Sequence, residues 1–199
     1  AAFSFLIVAG SSISAQTIVT IGTSSSTSST SGPANSTTAG TRNERHMCIY
    51  SAAELSAAGL GTGSSFMNIA WEKTGAAHYY SPNLTIRVWL KHSAATTFAA
   101  SPVFATETAA ATLVYETTTG SIPTTAGWLT FPFNTATPFF NWDGVQHLQV
   151  ITEVIRPVDW TETGFLWRTI TSVTNGAANA SGTSAAPPAC LTRTGTRPQ

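Results

Sequence analysis

Charged side chains are scarce in this chain. Only 9% of its 199 residues are charged, and nine basic residues balance nine acidic ones to a formal net charge of zero. In a typical domain about a quarter of the residues are charged. The basic residues are scattered, whereas binding to a nucleic acid requires lysines and arginines that cluster on one surface. The composition therefore excludes nucleic acid as a partner. Its many hydroxyl and small side chains favour a secreted, extracellular protein of the cell surface.

Sequence motifs for catalysis and cofactor binding are missing as well. The chain has no P-loop, no G-x-G-x-x-G, no G-x-S-x-G and no calcium-loop run of aspartates. The histidines lack the H-x-H or H-x-x-x-H spacing of a zinc site; they are His46, His78, His92 and His147. A glycosidase needs two carboxylates that face each other across a sugar, and no spacing here pairs two of them. We therefore predict no enzymatic activity, no metal site and no cofactor.

Cysteine occurs only twice, at Cys48 and Cys190. In a secreted chain an even number of cysteines usually forms disulfides, so we expect these two residues to be bridged. The alternative is that both are buried free thiols.

The chain opens with an uncharged apolar stretch, AAFSFLIVAG. One interpretation of residues 1–16 is the remnant of a signal peptide. The stretch is shorter than the 20 or so residues that cross a bilayer, so we predict no membrane span. Because no initiator methionine and no basic residue precede it, we favour a retained segment. Phe3, Phe5 and Ile7 alternate with residues that are also mostly apolar, as in a strand covered on both faces.

A strand of this kind aggregates unless it is sheltered in a groove. The groove would belong either to its own domain or to a neighbouring copy, as in donor-strand assembly. A head-to-tail contact between copies does not close, and it propagates into a filament. The residues expected to enter the groove are Phe3, Phe5, Leu6, Ile7, Val8, Ile18, Val19 and Ile21.

A hydroxyl-rich tract follows this arm. The segment 23–31, TSSSTSSTS, contains nine hydroxyl residues in a row and no hydrophobic residue, which is typical of a flexible linker or long loop. We therefore divide the chain into an N-terminal arm over residues 1–22, a linker or loop over 23–40 and a main domain over 41–199.

Short strands separated by turns dominate the main domain. Hydrophobic residues occupy every second position from Leu84 to Leu90, which predicts a strand with one buried face. Ser51 and Glu54 form a capping box, and Gly59 is a stop signal, so one short helix is expected there. The predicted fold is all-β, a jelly-roll-like β-sandwich with one short helix and an extended N-terminal arm strand. The other expected strands cover residues 45–50, 66–73, 113–115, 128–133, 148–155 and 165–173.

Three stretches carry a resemblance to a family. They are IYSAAELSAAGLGTGSSFMNIAW (49–71), NLTIRVWLKHSAATTF (83–98) and GWLTFPFNTATPFFNWDGVQHLQVITEV (127–154). Together they resemble the β-sandwich modules of secreted, multidomain surface proteins of Bacteroidota. The resemblance extends over residues 17–199 and implies a sandwich fold with an adhesive, carbohydrate-associated or structural role.

Two departures from the family pattern bear on function. His147 stands where the family hairpin has asparagine. The family also continues past a segment like TRPQ, at 196–199, into a final strand. If that strand is absent, the resemblance implies a sandwich with an open apolar groove, which a strand from a neighbour would fill.

Six tryptophans raise the alternative of glycan binding. Trp89 lies on the outward phase of its predicted strand, which makes it the candidate for stacking against a sugar, although most of the six are expected to be core anchors. Our main hypothesis is a structural subunit of an extracellular, pilus-like filament. Its partners are identical subunits, and each N-terminal strand inserts into the groove of the next subunit. The alternative is a carbohydrate-binding or adhesive module whose partners are glycans.

Overall fold

Thirteen strands and two short helices make up the regular structure of the described residues. The computed structural model of the chain describes residues 17–34, 41–75, 83–137, 139–157, 165–171, 174–182, 189 and 191–199. The strands are β1 (Thr27–Ser28), β2 (Asn43–Tyr50), β3 (Ser65–Phe66), β4 (Asn68–Thr74), β5 (Leu84–Ser93), β6 (Thr112–Gly120), β7 (Gly127–Pro132), β8 (Phe140–Asn141), β9 (His147–Ile155), β10 (Leu166–Thr171), β11 (Ala177–Gly182), β12 (Thr192–Thr194) and β13 (Thr196–Pro198). The helices are α1 (Ala52–Ala57) and α2 (Phe104–Ala109).

Six strands form the larger sheet, in the order β12-β11-β2-β9-β5-β6, and all neighbours are antiparallel. The central strand β9 has the sequence HLQVITEVI and is buried at every position except its two ends. Leu148, Val150 and Val154 face the main core, whereas Gln149 and Glu153, which alternate with them and so lie on the other face, are polar and buried.

The smaller sheet has the order β1-β10-β4-β7, and β13 also pairs with β10. It is antiparallel throughout. A separate two-stranded sheet joins β3 to β8. The predicted all-β sandwich is therefore confirmed.

A single hydrophobic core fills the space between the two main sheets. The alternation expected in β5 is confirmed, because Leu84, Ile86, Val88 and Leu90 are all buried in this core. The smaller sheet adds the side chains of β4, β7 and β10 to the same core. Its largest buried members are Trp71, Trp142 and Trp167.

A second, smaller core covers the opposite face of the six-stranded sheet. Helix α2 packs there through Phe104, and Met47 and Ile151 reach it from β2 and β9. The prediction of one short helix is corrected, since α2 is a second one. Its N-cap position is Val103, which offers no side-chain hydrogen bond, so the usual sequence signal for a helix start is absent.

Part of the segment expected to be a linker or loop packs onto the sandwich. Strand β1 pairs with β10, and Ala34 is buried in the core. Its carbonyl accepts a hydrogen bond of 2.7 Å from the indole Nε1 of Trp167. Gly32 lies directly against the same indole ring, where a Cβ atom would overlap the ring atoms. The hydroxyl tract is therefore attached to the domain from residue 25 onward.

Hydrogen bonds confirm the predicted capping box and also define a turn at Asp143. The Ser51 hydroxyl accepts from the backbone of Glu54 at 3.3 Å, and the Glu54 carboxylate accepts from the backbone of Ser51 at 2.9 Å, which completes the capping box of α1. In the turn after β8, the Asp143 carboxylate accepts backbone hydrogen bonds of 2.8 Å from Val145 and Gln146. These bonds lower the pKa of Asp143, so this residue has a structural role in the turn.

Candidate functional site

One strand of the smaller sheet is paired along one edge only. Strand β4 pairs with β7 from Asn68 to Lys73, but its pairing with β10 is limited to Lys73 and Thr74. The Phe133 N–H donates to the Met67 carbonyl at 2.9 Å. Because hydrogen-bonded pairs alternate along an antiparallel ladder, the odd-numbered residues of β4 face β7. The backbone groups of Asn68 and Ala70 point the other way, and within the described residues nothing bonds them there. We call the backbone of residues 68–71 the open edge.

Strand β10 does not pair with the open edge of β4, because its second half pairs with β13 instead. Beyond residue 168, β10 pairs with β13, and the Gln199 N–H donates to the Arg168 carbonyl at 2.9 Å. Residues 196–198, expected to run into a missing strand, form β13. Strand β10 thus pairs with β4 only as far as Trp167 and with β13 from Thr169 onward. The smaller sheet splits between these two residues.

One apolar side chain of the open edge is incompletely covered. Ile69 faces the core, yet it is only half-buried, whereas its cross-strand partner Phe131 is buried. An added strand with apolar side chains on its inner face would complete the burial of Ile69.

The outer face beside the open edge is held by an ion pair. The Arg168 guanidinium donates to both carboxylate oxygens of Glu72, at 3.1 and 3.2 Å, and to the Ser25 carbonyl at 3.0 Å. The carboxylate raises the pKa of Arg168. Through Arg168, this pair connects Ser25 of the N-terminal segment to Glu72 of β4. Glu72 directly precedes Lys73, where the pairing of β4 with β10 begins.

The expected donor-strand residues fall into two groups. Ile18 is 88% exposed, Val19 is half-buried, and Ile21 is half-buried against the core of its own chain. The second apolar run of the arm therefore forms no strand in this chain. The remaining five residues lie outside the described part of the chain; they are Phe3, Phe5, Leu6, Ile7 and Val8.

The described start of the arm lies near the open edge. The Gly22 carbonyl accepts a hydrogen bond of 2.8 Å from the side chain of Gln199, the residue whose backbone bonds to Arg168. A Cβ atom at Gly22, where φ is +92°, would meet the side chain of Ile170. Gly22 therefore lies beside the C-terminal end of β13 and the second half of β10.

The ring of Trp89 is not exposed as a surface on which a sugar could stack. It points outward as expected, but α2 covers it, and its ring packs edge-on against Phe104 with a centroid distance of 5.7 Å. The exposed tryptophan among the described residues is Trp128 on β7, at 51%. Its cross-strand partner is Glu72. The sequence alone does not show which of Trp89 and Trp128 is exposed, because Trp89 is covered by α2, a helix that has no capping signal in its sequence.

The cysteines leave the disulfide prediction untested. Cys48 is buried in the main core, where no other described cysteine is present to bridge it, and burial raises the pKa of its thiol to about 11. Cys190 lies outside the described residues. The predicted bridge stays a prediction.

Several titratable side chains of the described chain have structural partners. His147 Nδ1 accepts from the backbone of Ala52 at 3.0 Å, and His92 Nε2 accepts from Asp143 at 3.3 Å. Glu153 pairs with two arginines on the outer face of the six-stranded sheet, Arg45 at 2.8 Å and Arg87 at 3.0 Å. No group of three or more potential metal ligands occurs in the described segments, and no described helix is long and apolar enough to cross a bilayer.

No protein-family model matches the chain, and no match was found among curated proteins or solved structures. The resemblance to Bacteroidota surface modules therefore stays a prediction from the motifs.

Proposed function

We propose that this protein is a structural subunit of an extracellular filament, and that its N-terminal arm adds as a strand to the open edge of β4 in a neighbouring subunit. The observation that supports this proposal is that no described residue bonds the backbone groups of Asn68 and Ala70 that face away from β7, beside half-buried Ile69. An unpaired edge next to an apolar gap is the surface that strand addition uses, since main-chain bonds supply affinity and side-chain pockets supply register.

The arm has the composition that such a site requires. An inserted strand would have one face toward the core and one toward the outer face of the smaller sheet. Phe3, Phe5 and Ile7 would point to one side, and Leu6 and Val8 to the other. Burying a few hundred Å² of apolar surface contributes on the order of 10 kcal/mol before entropy costs are subtracted.

The arm is long enough to reach a neighbour. Sixteen residues precede the described start at Thr17, and an extended chain spans about 3.3 Å per residue. The reach is therefore about 50 Å. The near absence of charge removes electrostatic repulsion between packed copies. The glycine at position 22 supports a change of chain direction there, because its φ of +92° is unfavourable for other residues.

The first experiment compares the full chain with a variant that lacks residues 1–16. Size-exclusion chromatography with light scattering and negative-stain microscopy report the assembly state. We expect filaments or oligomers from the full chain and a folded monomer from the deletion variant. A synthetic peptide of residues 1–16 is expected to bind that monomer, whereas a peptide with Ile7→Glu is not.

The second experiment blocks the open edge by a single substitution in the full chain. Ala70→Pro removes a backbone donor that faces the gap and places a ring there. We expect it to abolish assembly while the thermal transition of the monomer remains. Thr130→Pro is the matched control, since by the same alternation its N–H faces away from β4 on the other side of the sheet.

The results that would overturn the proposal are specific. If the full chain is monomeric and deletion of residues 1–16 lowers its stability by several kcal/mol, the arm fills the edge of its own chain. If filaments persist in both the deletion variant and Ala70→Pro, assembly uses another surface.

One observation favours a second function, that of a glycan-binding or adhesive module. Trp128 presents a half-exposed ring on a flat sheet face, beside the charged pair of Glu72 and Arg168. Aromatic faces flanked by polar groups are suited to stacking on sugars. Loss of glycan-array binding on Trp128→Ala, with assembly unchanged, would support this alternative.

A further inference from the structure

Strands β4 and β13 lie along the same edge of β10. The Thr74 hydroxyl of β4 donates to the Leu166 carbonyl at 3.1 Å, and the Gln199 N–H donates to the Arg168 carbonyl at 2.9 Å. Carbonyls two residues apart in a strand point to the same side. The Thr169 N–H points to the opposite side, where it donates at 2.9 Å to the backbone just before β1. Strand β13 therefore occupies the part of this edge that β4 would reach if its pairing continued.

The register between β4 and β10 allows that continuation without a slip. The described ladder between the two strands ends at Lys73. In the same register, the next cross-strand pair is Arg168 with Glu72, whose side chains already form the ion pair on the outer face. Two residues further along, Ile170 would lie opposite Ala70. Continued pairing would therefore close the open edge.

The backbone of Ile170 is instead paired with β13. Its cross-strand partner is Arg197. Because Ile170 is two residues from Arg168, its N–H and carbonyl face the shared edge, and these are the groups that would bond to Ala70. Ile170 pairs either with Arg197 or with Ala70, since both partners require the same two groups.

The side chain of Arg197 attaches β13 to the core. It is only 1% exposed and lies over the Tyr50 ring, with 4.6 Å between Cζ and the ring centroid. Its guanidinium forms an ion pair with the Glu54 carboxylate and donates to the Ile49 carbonyl. The Tyr50 hydroxyl donates to the Pro198 carbonyl at 2.8 Å. The position of β13 thus depends on a buried charge that a residue of the α1 capping box balances.

From this arrangement we propose that β13 keeps the edge of β4 open, because it occupies the backbone of β10 that would otherwise pair with it. Release of β13 lets the ladder between β4 and β10 extend to Ala70 and Ile170. The arm of a neighbouring subunit then finds no free backbone on β4. This consequence for assembly rests on the proposed function, whereas the exchange of partners on β10 does not.

The test is amide hydrogen exchange, measured by NMR on a parent chain of full length that carries Ile7→Glu to keep it monomeric. In this parent we expect fast exchange at Ala70 and slow exchange at Ile170. Removal of residues 196–199 should slow the exchange at Ala70 at least tenfold. Ile170 should stay protected, because its partner changes from Arg197 to Ala70.

A milder variant of the parent is Glu54→Gln. Glutamine is compatible with the capping box but leaves the buried charge of Arg197 unbalanced. We expect faster exchange at Gln199 and slower exchange at Ala70. The matched control is Arg193→Ala, which removes an arginine from β12 and not from β13, and it should change neither rate.

Three results would overturn the proposal. The first is fast exchange at Ala70 in a folded variant that lacks or releases β13, and the second is slow exchange at Ala70 in the parent. The third is unfolding of the truncated chain together with an unchanged rate at Gln199 in Glu54→Gln, because β13 would then be a fixed part of the core.

A synthetic peptide of residues 1–16 separates this proposal from the proposed function. Binding to the parent but not to the truncated chain would support both. Equal binding to both chains would contradict closure of the edge. A peptide that binds neither chain would refute strand addition at β4, while the exchange rates would still decide whether β13 keeps the edge open.

Discussion

The two sheets of this sandwich differ in how completely their strands are paired. In the six-stranded sheet, β9 has partners along its whole length on both sides, and both of its faces are buried. In the smaller sheet, β4 has one full partner and one partial partner. Backbone pairing and side-chain burial are thus incomplete at the same place, because half-buried Ile69 lies on the strand whose pairing is interrupted.

The edges of the two sheets also differ. Strand β6 is the last strand of the six-stranded sheet, and the loop after β7 covers its outer edge. The Asn134 side chain exchanges hydrogen bonds of 3.0 and 2.8 Å with the backbone of Glu116, and the Thr135 hydroxyl donates to the Leu113 carbonyl at 2.8 Å. Such cover protects an edge from pairing with other chains. The described part of β4 has no equivalent cover.

The largest expected difference between the two sheets is in the stability lost when a buried isoleucine is shortened to alanine. Ile151→Ala, in the centre of the six-stranded sheet, is expected to lower the free energy of unfolding by about 4 kcal/mol, since it leaves a cavity between two covered layers. Ile69→Ala, beside the open edge, is expected to cost only about 1 kcal/mol in the monomer lacking residues 1–16. Urea unfolding measures both. Equal losses would contradict the view that the two sheets differ in burial.

The next effect is the pH dependence of stability that His46 introduces. Its folded-state pKa of about 4 lies below the unfolded value of 6.5, so the unfolded chain takes up a proton first as the pH falls. Stability from this group is complete above pH 6.5 and is lost between pH 6.5 and 4, by about 3 kcal/mol. His46→Gln should remove this slope. The control His147→Gln should retain it.

A smaller difference is expected between the ion pairs of the two sheets. Glu153 is 5% exposed as a side chain and pairs with Arg45 and Arg87, so Glu153→Gln should cost about 2 kcal/mol by leaving buried charge uncompensated. Glu72 is more exposed in its pair with Arg168, and Glu72→Gln should leave the denaturation midpoint of the monomer unchanged. A large loss at Glu72 would show that this pair holds the split sheet together.

The smallest effect concerns reactivity and not stability. Cys48 is buried with a raised pKa of about 11, so iodoacetamide at pH 8 should not modify it in the folded protein. In urea without reductant, a free Cys48 becomes alkylated, whereas a disulfide to Cys190 keeps it unmodified. Mass spectrometry distinguishes the two states and so tests the predicted bridge.

Local patterns predicted much of the fold. The alternation in β5 and the capping box of α1 each follow from residues close in sequence. Strand β11, with the sequence AANASG, has low strand propensity and forms because β2 and β12 pair with it. Pairing between distant strands leaves no local signal, so the sequence does not predict the open edge of β4.

The contact between Gly32 and Trp167 has a consequence for how this protein can evolve. A tract of serines and threonines normally drifts freely, since one small hydroxyl residue replaces another at little cost. Here the indole leaves no space for even a methyl group at position 32. We therefore expect that in any set of homologues this glycine stays invariant inside an otherwise variable stretch, and that a change at Trp167 is tolerated only together with a change at Gly32.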